Sequence, residues 1–62
     1  MSADELIVKL KAAGWVFERN GKGSHKIFRN PNYAYPLPVP CHKGKEIHPG
    51  LLRRIMKDAG LL

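Results

Sequence analysis

The chemistry-bearing residues of this chain are three histidines, His25, His42 and His48, set among lysines. His25 follows a glycine turn, Gly21-Lys22-Gly23-Ser24, and precedes Lys26. A free imidazole titrates near pH ~6.5, so it can take or give a proton at neutral pH. Lys22 and Lys26 would gather phosphates beside it. RNA cleavage needs that combination: a base for the 2′-hydroxyl, an acid for the 5′-oxygen and cations for the phosphorane charge. The same residues also fit a histidine that only binds phosphate, or a strand histidine with a satisfied ring. His42, between Cys41 and Lys43, is a second proton-transfer group, a phosphate contact or an exposed loop residue. His48 precedes Pro49 and fits a helix cap, without chemistry.

Other chemistries find little support. Cys41, His42 and His48 do not have the tight four-ligand spacing of a stable zinc site, so no metal is expected. Cys41 and His42 are neighbours in an extended segment and point to opposite faces, which argues against a nucleophile pair. No glycine-rich phosphate loop of the nucleotide-binding kind is present. No cofactor is expected.

The elements that must carry these residues read as helix, three short strands, helix. Ser2-Ala3-Asp4-Glu5 is a capping box. Ala3, Leu6, Ile7, Leu10 and Ala13 then form one apolar stripe, and Gly14 supplies a left-handed stop. Trp15 to Arg19 is aromatic and β-branched, hence a strand. Asn20-Gly21-Lys22-Gly23 is a turn that needs positive φ at its glycines. Ser24 to Asn30 is a second strand. His25, Ile27 and Arg29 share one face, and Lys26 and Phe28 the other. Each face holds one apolar residue, so the pattern does not say which is inside.

A third strand runs from Tyr35 to Pro40. Prolines 36, 38 and 40 alternate with Tyr35, Leu37 and Val39. Alternate amides point to one side, so the three missing donors lie along one edge. That makes an edge strand closed to further pairing, with Tyr35, Leu37 and Val39 facing the core. A polyproline-type loop is the alternative. In the last helix, Leu51, Leu52, Ile55, Met56 and Ala59 form the apolar face. Arg53, Arg54 and Lys57 project from the other side, and Gly60 stops the helix. The expected fold is a two-layer α+β sandwich of order α-β-β-β-α, with both helices on one face of a three-stranded antiparallel sheet.

Composition narrows the function classes. The chain has 62 residues, 11 Lys+Arg against 5 Asp+Glu, and a formal net charge of +6. One thin-cored domain fits that length, residues 1–62, so chemistry belongs on a surface. No apolar run approaches the ~18 residues of a membrane span, so no membrane partner is expected. The acidic start does not look like a signal peptide, and the single Cys41 suits a reducing cytoplasm. A basic small domain most often meets nucleic acid, although excess lysine can also serve solubility.

Three blocks in order carry a resemblance over nearly the whole chain. They are Gly23 to Arg29, Val39 to Ile47 and Pro49 to Leu61, preceded by a helix ending in Gly14-Trp15. Together they resemble the HicA toxins of bacterial toxin–antitoxin systems. Leu51 departs from the threonine common there. The resemblance implies a fold like the double-stranded-RNA-binding domain and a ribosome-independent endoribonuclease that cleaves mRNA. It implies a HicB-like antitoxin, here expected to cover the His25 region. The family's catalytic histidine falls on His25, and its second recurrent histidine on His42. The expected RNA contacts are Lys22, Ser24, Lys26, His42, Lys43 and Lys45. A non-catalytic RNA-binding module and a binder of acidic protein are the alternative readings.

Overall fold

A computed structural model describes residues 1–42 and 45–62. The order is α1 (Ala3–Ala12), β1 (Val16–Asn20), β2 (His25–Arg29), β3 (Leu37–Pro40) and α2 (Pro49–Asp58). The strands form one antiparallel sheet, β1-β2-β3. Leu6 and Leu10 of α1 and Ile55 of α2 share a core with Phe28, Leu37 and Val39 of the sheet. Both helices therefore cover the same sheet face, as the apolar stripes require. The other face is open.

Each helix starts as its sequence dictates. The Ser2 hydroxyl accepts from the Glu5 amide, and Glu5 Oε1 accepts from the Ser2 amide, closing the capping box. Such a cap is worth about 1 kcal/mol. Gly14 adopts φ +96°, which lets the chain leave α1 and turn Trp15 back, its amide donating to the Leu10 carbonyl. The Trp15 ring is buried, and its Nε1–H donates to the Ala59 carbonyl at 3.1 Å. This bond joins the entry to β1 with the end of α2. Buried Asn30 donates to the Ala13 carbonyl and accepts from the Asn32 amide, fixing the turn after β2.

Phe28 settles the orientation of β2. It is buried, whereas Ile27 on the opposite side is only half-buried. Phe28 lies opposite Leu37 and meets Phe17 edge-to-face, so the larger apolar side chain claims the helix side. The Cys41 amide donates to the Ser24 carbonyl. By alternation the amides of Val39 and Leu37 also face β2, and positions 36, 38 and 40 face outward. The proline edge is thus closed as expected.

Several expectations need correction. Tyr35 is 82% exposed and lies before β3, not in it. The turn after Asn30, closed by the Tyr33 amide on the Asn30 carbonyl, ends the pairing at Phe28–Leu37. Tyr35 falls in the bend beyond that register. Ala13 is exposed because it caps α1 rather than continuing its stripe. Leu51 in the first turn of α2 is also exposed. β1 begins at Val16, and β2 spans only His25 to Arg29. A bulge interrupts β1 between Phe17 and Arg19. Of the turn glycines only Gly23 takes positive φ.

Candidate functional site

His25 opens β2, and the turn before it holds both its backbone and its ring. The His25 amide donates to the Lys22 carbonyl at 3.2 Å, and Nδ1 lies 3.1 Å from the same oxygen. A carbonyl oxygen only accepts, so this contact requires a proton on Nδ1. The neutral ring then keeps its lone pair on Nε2. The side chain is exposed. Gly23 makes the turn possible with φ +62°, a left-handed conformation that side chains resist.

The open sheet face surrounds this histidine in two rows set by the register. Arg19, Ile27 and Pro38 lie side by side, because Arg19 pairs with Ile27 and Ile27 with Pro38. The next row places His25 opposite Pro40. Beside them, Glu18 Oε1 accepts from Arg29 Nε at 3.1 Å, and Glu18 Oε2 lies 3.7 Å from Arg19 Nε. One carboxylate thus orients two guanidinium groups near the histidine's face.

The remaining expected site residues divide on the sheet. Lys26 shares the helix-side parity of Phe28, opposite to His25. Ser24 Oγ and His42 Nδ1 are hydrogen-bonded at 3.1 Å. His42, Lys26 and Lys45 line a cleft with Cys41, Glu46 and the first residues of α1. His25 does not line that cleft. Lys22 is exposed in the turn that carries His25. Lys43 lies outside the described residues. Ser24 immediately precedes His25, so His42 lies by the start of β2, and it also lines a second cleft with Pro40, the residue paired with His25. The bulge and the Glu18–Arg29 pair were not foreseen, since no residue type marks them. The basic residues Arg53, Arg54 and Lys57 are exposed on α2, in the layer away from His25.

Two further residues are accounted for without chemistry. His48 Nδ1 accepts from the Gly50 amide at 3.1 Å, so it caps α2 as its position suggested. Burial pushes the Cys41 thiol up from its ordinary value, and its sulfur donates to the Val39 carbonyl. A protonated thiol is a poor nucleophile. Among the described residues, no group of three or more His, Cys, Asp or Glu side chains is placed to hold a metal ion. No helix among them is long and apolar enough to cross a membrane.

A family model described as the HicA toxin of bacterial toxin–antitoxin matches residues 3–61. The chain belongs to the HicA toxin family. No curated protein matches it. Membership makes this chain the toxin of a toxin–antitoxin system, and so the counterpart of an antitoxin. The Ser24–His42 pair sits beside the cleft at the start of α1.

Proposed function

We propose that this toxin is a ribosome-independent endoribonuclease that cleaves mRNA, with His25 as its proton-transfer residue. The observation that carries the reading is the Nδ1 contact to the Lys22 carbonyl, which leaves Nε2 free on an exposed ring. Nε2 takes the proton of a ribose 2′-hydroxyl. The 2′-oxygen bonds to phosphorus and the P–O5′ bond breaks. The products are a 2′,3′-cyclic phosphate and a 5′-hydroxyl, the latter reprotonated from the imidazolium or from water. Arg19, paired with Ile27 across the sheet, and Lys22, in the turn before His25, offset charge on the pentacoordinate phosphorus. The chemistry asks nothing of a metal. Ser24, Lys26, His42, Lys43 and Lys45 are proposed as contacts to RNA further along the strand. The partner is a HicB-like antitoxin whose acidic face covers the His25 region, and the setting is cytoplasmic.

The test is RNA incubated in EDTA with the wild-type chain and with His25→Ala. Loss of a positioned proton-transfer group costs about 10²–10⁴-fold. Equal cleavage by both chains, or cleavage only with added metal, overturns the mechanism. Tight, salt-sensitive binding with RNA left intact would identify a binding module instead.

A further inference from the structure

By strand parity Ile27, Pro38 and Pro40 fall on the sheet face opposite Phe28, Leu37 and Val39, outside the core cluster. Ile27 and Pro40 are half-buried and Pro38 is exposed; Pro40 pairs with His25 and Pro38 with Ile27, and at the sheet edge Pro38 also borders a cleft with Trp15 and Asp58, and Pro40 one with Ile47 and Leu51. Closing the sheet edge explains why positions 38 and 40 lack an amide hydrogen. It does not explain Ile27, which sits on the central strand with its side chain toward solvent. Strand parity puts it there, and it packs against the turn: a Cβ on Gly21 would stand 2.8 Å from Ile27 Cδ1 and 3.5 Å from His25 Cβ. The side chain therefore lies over bare backbone, next to the histidine. Pro38 and Pro40 are rigid rings, so ordering them against a ligand loses almost no side-chain entropy.

We propose that Ile27, Pro38 and Pro40 form a nucleobase floor that holds an unstacked base of single-stranded RNA beside His25. The proposal rests on the reading of His25 as an RNA-cleaving group. Residues two apart on one strand face are about 6.6 Å apart, and neighbouring strands about 4.8 Å. A base on Ile27 thus keeps its own sugar-phosphate within reach of His25. Arg19 borders the floor through its pairing with Ile27, and Lys22 stands in the adjoining turn. An apolar centre, a cationic border and a histidine correspond to the base, phosphate and ribose of one nucleotide. Duplex bases present their edges and keep their faces stacked, so the floor selects single strands.

The test uses a non-cleavable probe, a 2′-O-methyl oligoadenylate, with binding read by anisotropy. Its comparators are the same backbone without bases and the same strand paired with oligouridylate. The variants are Ile27→Thr and the exposed Pro38→Thr, both suited to a strand, with circular dichroism to check the fold. A base stacked on an aromatic side chain gains roughly five- to a hundred-and-fifty-fold in affinity, and an aliphatic floor without a π-face should give only the low end of that range, about fivefold. The wild-type chain should prefer the single strand over both comparators by about that factor. Each variant should weaken oligoadenylate binding and leave the abasic backbone unchanged. Equal affinity for the three probes, or a folded Pro38→Thr that binds oligoadenylate like wild type, overturns the floor. Cleavage of natural RNA by wild type and His25→Ala is assayed in parallel. Floor-dependent binding without His25-dependent cleavage would overturn the catalytic reading and leave the base site standing.

Discussion

Gly23→Ala tests the link between the turn and the histidine. Gly23 has φ +62°, and a Cβ added there would meet nothing within 4 Å. Crowding therefore contributes nothing, and the whole effect is conformational. An L-residue in the left-handed region costs roughly 1–2 kcal/mol. For a domain of this size each kcal/mol lowers Tm by about 4–8 °C. Gly23→Ala should therefore melt roughly 4–16 °C below wild type, read by circular dichroism. Gly23→Asn should lose less, because Asn tolerates this region. The strain has one obvious relief, which is to rotate the turn and move the Lys22 carbonyl. That oxygen accepts from the His25 amide and lies 3.1 Å from Nδ1. Ring nitrogen shifts by NMR should then show His25 shifting from a predominantly Nδ1–H form to a mixture in Gly23→Ala, and less so in Gly23→Asn. Gly21→Ala makes a contrasting control, since its Cβ would press on Ile27 Cδ1 without a left-handed backbone. Equal melting of the Ala, Asn and wild-type chains, with one unchanged ring form, would refute the argument.

Trp15→Phe removes the bond from Nε1 to the Ala59 carbonyl and leaves that buried acceptor unpaired. An unsatisfied buried group costs about 1–3 kcal/mol, so Tm should fall by at least several degrees; an unchanged melt would show that water or a shifted backbone replaces the bond. Glu5 is held below the ordinary Glu range, first by the Ser2 amide and then by the Ser2 hydroxyl. A depressed carboxyl contributes stability above its unfolded pKa and loses it as pH falls through its folded pKa. Stability should therefore drop below about pH 4.5, and Ser2→Ala should flatten that limb of a pH–Tm profile relative to wild type.

Much of the fold was legible because local chemistry determined it. Ser2 and Glu5 are spaced for a capping box, and His48 before Pro49 has only a cap to make. The proline alternation fixed which side of β3 pairs. The candidate site was less legible because β2 offers one apolar residue to each face. Alternation separates His25 from Lys26, but only packing decides that Phe28 and Lys26 go toward the helices. Ser24 and His42 meet through the pairing of Ser24 with Cys41, a contact across eighteen residues that spacing cannot reveal. Tyr35 misled because it continues the proline alternation while the turn at Asn30 ends the register before it. The bulge at Glu18 has no glycine or proline to announce it.

The division of the site follows from the thinness of the domain. A short chain with two helices can cover one sheet face, and those helices need Phe28, Leu37 and Val39 to bury their stripes. Whatever alternates with these residues must face solvent, so His25, Ile27 and the even prolines share the uncovered side by parity. The prolines then act twice through one property. Lacking an amide hydrogen, they close the outer edge of β3. Being rigid and apolar, they stand one strand away from the histidine as the proposed base floor. A lysine or threonine at position 38 could have discouraged edge pairing too, but would have put a mobile or hydrogen-bonding group on that surface. The positive charge divides in the same way. Arg53, Arg54 and Lys57 extend the positive field of the molecule from the helix layer, on the side away from His25. Arg19 and Lys22 are the cations proposed to act at the site itself.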